Sequence, residues 1–247
     1  MASPATLLLS SVLVVCAPHH PGTTADGQPT MDAFATAVTR AAGWPAGSLS
    51  AEYQPTEEGG RARLAGPDAV LTLVTEPFFV EHGEALALKP LLQAMPAGAE
   101  EGEVWSLVAP RGKVTGPASL AGWELHGSAA YAPRFVRETA LGAWGDLPPA
   151  VRLVPTAQVL SALRRAAAGE KVAVLLDGTQ AAALKTLPFA GDLEVVARSP
   201  RLPAALLCSV AGRALPGPLD PMKAGMRSLD PGLLERLRLA RFAPLPR

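Results

Sequence analysis

The chain has 247 residues, 49% of them hydrophobic, enough to bury one large core or two of ordinary domain size. Its 22 basic and 22 acidic residues cancel, which excludes the electrostatic footprint of a nucleic-acid binder and requires any charged ligand to be caught locally. Pro and Gly are abundant but fall at turn positions such as Pro21-Gly22, Gly59-Gly60 and Pro148-Pro149, which is punctuation and not low complexity.

In chain order, the apolar residues of 11–17 read as a buried parallel strand. The run over 6–17 also ends in a small residue as an export signal would, but no Lys or Arg precedes it, and the segment is too short for a membrane span. A loop follows, then a helix over 29–42 with Met31, Phe34, Ala35 and Val38 on one face and a stop at Gly43. A strand over 49–53, a short helix over 57–64 and a buried strand over 68–74 come next. After that strand Thr75 can cap a helix and Pro77 can sit in its first turn. Residues 85–93 read as another strand, 96–102 as exposed, and 104–109 as an extended segment crossing between lobes.

A second block repeats the strand-to-helix logic. A strand over 123–126, a tight turn over 127–131 and a helix over 132–141 opened by Pro133 are followed by a strand over 151–154. The helix over 156–168 should bury Val159, Leu160 and Leu163, and the strand over 172–176 leads into Asp177-Gly178-Thr179-Gln180 and a helix to 187. A strand over 193–197 ends this block, 203–210 returns to the first, and short helices over 221–228 and 231–239 close the chain. A chain that leaves one α/β lobe, builds a second and returns makes a two-lobed clamp, each lobe a mostly parallel sheet flanked by helices. The expected lobes are 11–102 plus 203–247, and 103–202.

Ligands of such sheets bind beyond the carboxyl ends of the strands, which selects the loops 18–26, 75–79, 127–131 and 177–180. They supply Thr23, Thr24, Thr75, Glu76, Phe78, Ser128, Tyr131, Asp177 and Thr179 as candidates, with backbone N–H groups at helix starts available to an oxyanion. For each hydroxyl residue, and for Asp177, plain helix capping is the competing explanation. His19-His20 lacks the Cys or carboxylate pair that would complete a metal-ligand set. Glu57-Glu58 and Glu76 read as well as solvated or helix-start charges as they do as an acid and a base. There is no nucleophile elbow and no phosphate-binding Gly-rich loop. Cys16 and Cys208, each preceded by apolar strand residues, are expected as free core thiols, and a disulfide requires the returning segment to lie beside the first strand.

The order of elements, the stretch Pro117-Ala118-Ser119-Leu120-Ala121-Gly122 before the strand ending in Gly127-Ser128, the strand ending in Asp177, and the closing Leu239-Ala240-Arg241-Phe242-Ala243-Pro244-Leu245 resemble the phosphate-, phosphite- and phosphonate-binding proteins of ABC transporters. That resemblance implies a type II periplasmic binding protein fold with two crossovers, an extracytoplasmic location, no catalytic activity, no cofactor, a small anion or polar metabolite as ligand and an ABC permease as partner. It places Ser128, the segment from Glu76 to Phe78 and Asp177 at the ligand, although Ala129 and Ala130 follow Ser128 where the family carries a further hydroxyl. A sensory module on the same clamp, and an enzyme using Glu76 or Asp177, are the alternatives.

Overall fold

A computed structural model describes residues 11–19, 23–98 and 102–245. The expectations placed on residues 6–10, on His20, Pro21 and Gly22, and on 99–101 therefore lie outside the described residues. The first half of the fold runs β1 (Ser11–Cys16), α1 (Thr24–Ala42), β2 (Leu49–Gln54), α2 (Glu57–Ala65), β3 (Ala69–Thr75), α3 (Glu76–His82) and β4 (Leu88–Pro96). It continues with β5 (Ser106–Pro110), β6 (Glu124–Gly127), a π-helix (Phe135–Ala140), β7 (Arg152–Pro155), α4 (Val159–Ala167), β8 (Val172–Leu176), α5 (Gly178–Ala183) and β9 (Leu193–Arg198). The chain ends with β10 (Ala205–Val210), α6 (Leu219–Met226), α7 (Pro231–Arg236) and β11 (Leu239–Ala243).

These elements form two sheets, one of six strands ordered β11-β4-β10-β3-β1-β2 and one of five ordered β7-β6-β8-β5-β9. The α/β clamp class holds. The expected parallel pairing holds for β2-β1-β3 and for β7-β6-β8, but β10 and β5, the strands laid down as the chain changes lobe, run antiparallel to both their neighbours. Each enters its sheet from the opposite end, which reverses its direction. Residues 106–110, read from the sequence as part of a crossing, are thus a fully buried strand of the second sheet. The crossings proper, before β5 and before β10, touch at an antiparallel bridge between Glu103 and Leu202, with N–H···O distances of 2.6 and 2.9 Å.

Burial follows the sequence. α1 packs Met31, Phe34, Ala35, Val38, Thr39 and Ala42 onto the first sheet and ends at Gly43, whose φ of 65° is the left-handed cap conformation glycine adopts without cost. It begins at Thr24, five residues before the expected start. Thr23 and Asp26 form a reciprocal capping box, and Pro29 falls in the second turn. In α4 the buried stripe is Ala162, Leu163 and Ala166, and Leu160 is 41% exposed, so the expectation for that side chain is reversed. Residues 239–243, expected as the end of a helix and a closing tail, form the edge strand β11 against β4. Cys16 and Cys208 are free and buried, and burial pushes both thiols up to about 12. Among the described residues no helix is long and apolar enough to cross a membrane.

Candidate functional site

The carboxyl ends of β1, β3, β6 and β8 carry the expected loops, but their chemistry is unequal. At the end of β3, Thr75 makes no capping bond. Its hydroxyl instead lies 3.4 Å from the Tyr131 hydroxyl, across from the first sheet to the second. Glu76, next in the chain, donates its backbone N–H to the Ala204 carbonyl of the returning crossing at 3.3 Å. Its side-chain Oε2 is buried without a hydrogen-bond partner among the described residues, and burial raises its carboxyl from 4.5 to about 7.

On the second sheet, an added Cβ at Gly127 would stand 2.6 Å from the Leu175 carbonyl, so only glycine lets β6 and β8 approach this closely there. That approach sets Ser128 and Asp177 at neighbouring strand ends. Ser128 is 6% exposed. Asp177 caps α5 in a reciprocal box with Gln180, its carboxylate accepting the Gln180 N–H at 2.7 Å. Beside it, Glu103 accepts the Gly178 N–H at 3.2 Å, and burial together with the Asp177 charge raises its carboxyl to about 7. Glu103, which sequence reasoning did not single out, is thus a perturbed carboxyl beside the end of β8.

The helix starts are less available than expected. The N–H of Gly178 and that of Gln180 go to Glu103 and Asp177, that of Asp26 goes to Thr23, and that of Arg134 goes to Glu81 Oε2 at 2.9 Å. An oxyanion in the cleft would therefore depend on side-chain donors. Thr75, Glu76, Ser128, Tyr131 and Asp177 gather where the strand ends meet, with the His19 ring 5.7 Å from that of Tyr131. Thr23, Thr24 and Thr179 are exposed, and the Thr23 hydroxyl is bonded to Asp26. Phe78 is fully buried in the first lobe's core against Cys16, Leu64 and Leu88, so it supports the turn from below and does not face a ligand. Glu57 Oε1 accepts from His82 Nε2 at 2.8 Å, which makes it a structural partner. Among the described residues no group of His, Cys, Asp and Glu could hold a metal ion. Cavities of about 350 Å³, between β4 and α6, and about 430 Å³, beside α2, are lined by first-lobe residues alone.

The sequence matches no protein-family model and no curated protein. Solved structures do match in fold. A Xanthomonas citri protein bound to a chloride ion is similar with a TM-score of 0.71 at 14% identity, over 96% of this chain and 92% of that one. The binding-protein component of an ABC phosphonate transporter from Pseudomonas aeruginosa gives 0.60 at 14%, over 96% and 82%. PhnD1 from Prochlorococcus marinus in complex with methylphosphonate gives 0.59 at 13%, over 96% and 93%. The fold is that of the two-lobed periplasmic binding proteins.

Proposed function

We propose that the protein is a non-catalytic, extracytoplasmic solute-binding protein of an ABC-type uptake system, with lobes at 11–102 plus 203–247 and at 103–202 closing on a small polar solute. The observation that carries this reading is the pair of turns facing each other across the sheets. Thr75 and Glu76 lie on one side and Ser128 and Tyr131 on the other, and Glu76 Oε2 is buried with no hydrogen-bond partner among the described residues. A buried polar group without a partner is costly, and a ligand that satisfies it while touching both sides stabilises the closed form over the open one. The phosphonate-binding proteins among the fold neighbours support a phosphorus oxyanion as the first ligand class.

Glu76 refines the choice. The loops 75–79, 127–131 and 177–180 carry no Arg or Lys, and a fully ionised phosphate would meet Glu76 and Asp177 without a compensating cation. A carboxyl raised to about 7 is protonated over part of the neutral range and then donates a hydrogen bond to an oxyanion. The solute is accordingly a monoprotonated phosphonate or a comparable small acid, with binding that weakens as pH rises above 7. A thermal-shift screen against phosphate, phosphite, methylphosphonate, sulfate and small carboxylates tests this, because a ligand specific to the folded state raises the melting temperature. The expected result is a shift with one phosphorus oxyanion that Ser128→Ala and Glu76→Gln diminish. A panel that produces no shift removes the oxyanion reading.

A further inference from the structure

Clamps of this architecture close because a ligand adds contacts available only in the closed form. Here the side chains of the two lobes make such contacts with one another. Val80 on α3, in the first lobe, packs against the second lobe's core, and Tyr131 on the second lobe packs against both cores. The Tyr131 hydroxyl stands 3.4 Å from Thr75 Oγ1, and its ring lies 5.7 Å from that of His19. Beyond this exchange Glu81, also on α3, accepts the backbone N–H of Arg134 at 2.9 Å. A first-lobe carboxylate thus caps the second-lobe helical segment at its start, next to Pro133, which has no N–H to offer.

We infer that the chain latches itself closed without a ligand through Tyr131, Val80 and Glu81. The inference rests on the clamp reading above but not on the ligand's identity. The latch joins one apolar exchange in each direction to a charge-assisted hydrogen bond, and all of its members lie on α3 or between residues 128 and 134. No hinge movement that separates α3 from that segment can keep them.

The test is small-angle X-ray scattering on the full chain, refolded from denaturant and confirmed by native mass spectrometry as the bare polypeptide. The ligand-free wild type is expected to scatter as the compact closed form, and the double variant Tyr131→Ala/Glu81→Ala with a larger radius of gyration. Tyr131→Phe, which keeps the packing and loses only the hydroxyl, should stay compact. Should the double variant fail to fold, Glu81→Ala alone is read by hydrogen exchange, with several-fold faster exchange expected over 133–140 and none over 172–176. A ligand-free wild type as expanded as the double variant, a double variant as compact as the wild type, or unchanged exchange in Glu81→Ala each overturns the latch. A negative thermal-shift panel beside a compact wild type and an expanded variant would instead remove the proposed ligand and leave the latch standing.

Discussion

Four carboxylates near opposite rims of the sheets, Asp68 and Glu124 at one and Glu76 and Glu103 at the other, have opposite surroundings. At the rim where the strands begin, both are wrapped in cations. Arg63 grips Asp68 with both terminal nitrogens at 2.8 Å and Glu52 through Nε at 2.6 Å, and Glu124, at the start of β6, meets His126 at 2.7 Å together with Arg152 and Arg165. Those partners hold Asp68 low and bring Glu124 down to about 2. At the rim where the strands end, Glu76 and Glu103 have no Arg or Lys hydrogen-bonded to them among the described residues, and both rise to about 7. Glu57, which follows β2 at the same rim, is paired with His82 and Arg61, so Glu76 and Glu103 are set apart by burial without a cation, and perturbed acids of that kind are the ones to test for a function.

The largest effect expected at the rim where the strands end is structural. Phe78→Ala empties a fully buried position beneath the β3–α3 turn, and should cost about 3–5 kcal/mol in denaturant titration. A variant of full stability that lost only ligand affinity would return Phe78 to the site and blur the contrast between rims. Next come the two raised acids. A carboxyl whose folded pKa lies above its unfolded value holds its proton longer in the folded state. Its contribution therefore falls as pH rises from about 4.5 to about 7. Glu76→Gln and Glu103→Gln should each be more stable than the wild type at pH 8, by on the order of 2–3 kcal/mol, and indistinguishable from it near pH 4. Urea melts at the two pH values decide this, and parallel wild-type and variant curves would mean that neither acid is buried as described. A smaller loss, about 1 kcal/mol, is expected for Asp177→Ala, which removes the α5 cap.

How much of this contrast was legible in the sequence depends on distance along the chain. β3 and β8 are continuous apolar runs, and α1 carries its stripe at helical spacing, so local pattern sufficed for them. The candidates at strand ends followed from one topological rule, and Thr75, Glu76, Ser128, Tyr131 and Asp177 do lie there. Glu103 gave no signal, because it follows a Gly- and Glu-rich stretch and acquires its burial only when Leu202, far along the chain, pairs with it. β11 was hidden for a related reason. Leu239, Ala240 and Arg241 are good helix formers, and only the exposed edge of β4 makes them a strand. α4 shows the limit of stripe counting, since moving its face by one residue puts Leu160 in solvent and Ala162 inside.

The smallest effect sharpens the comparison from the structural rim. The folded pKa of Glu124 is depressed, so its contribution is fully present above the unfolded value of about 4.5 and is lost as pH falls toward about 2, the opposite slope to Glu76 and Glu103. Arg152 and Arg165 are largely solvated partners, with side chains 66% and 40% exposed, so salt screens them and the energy at stake is below about 1 kcal/mol. Glu124→Gln should then shift a melt at neutral pH slightly downward in low salt, and the shift should vanish at high salt. The Glu76→Gln difference at pH 8 should persist at high salt, because it arises from burial and not from exposed charge. A Glu124 effect that survived high salt would place that acid in a buried network and end the division between the two rims.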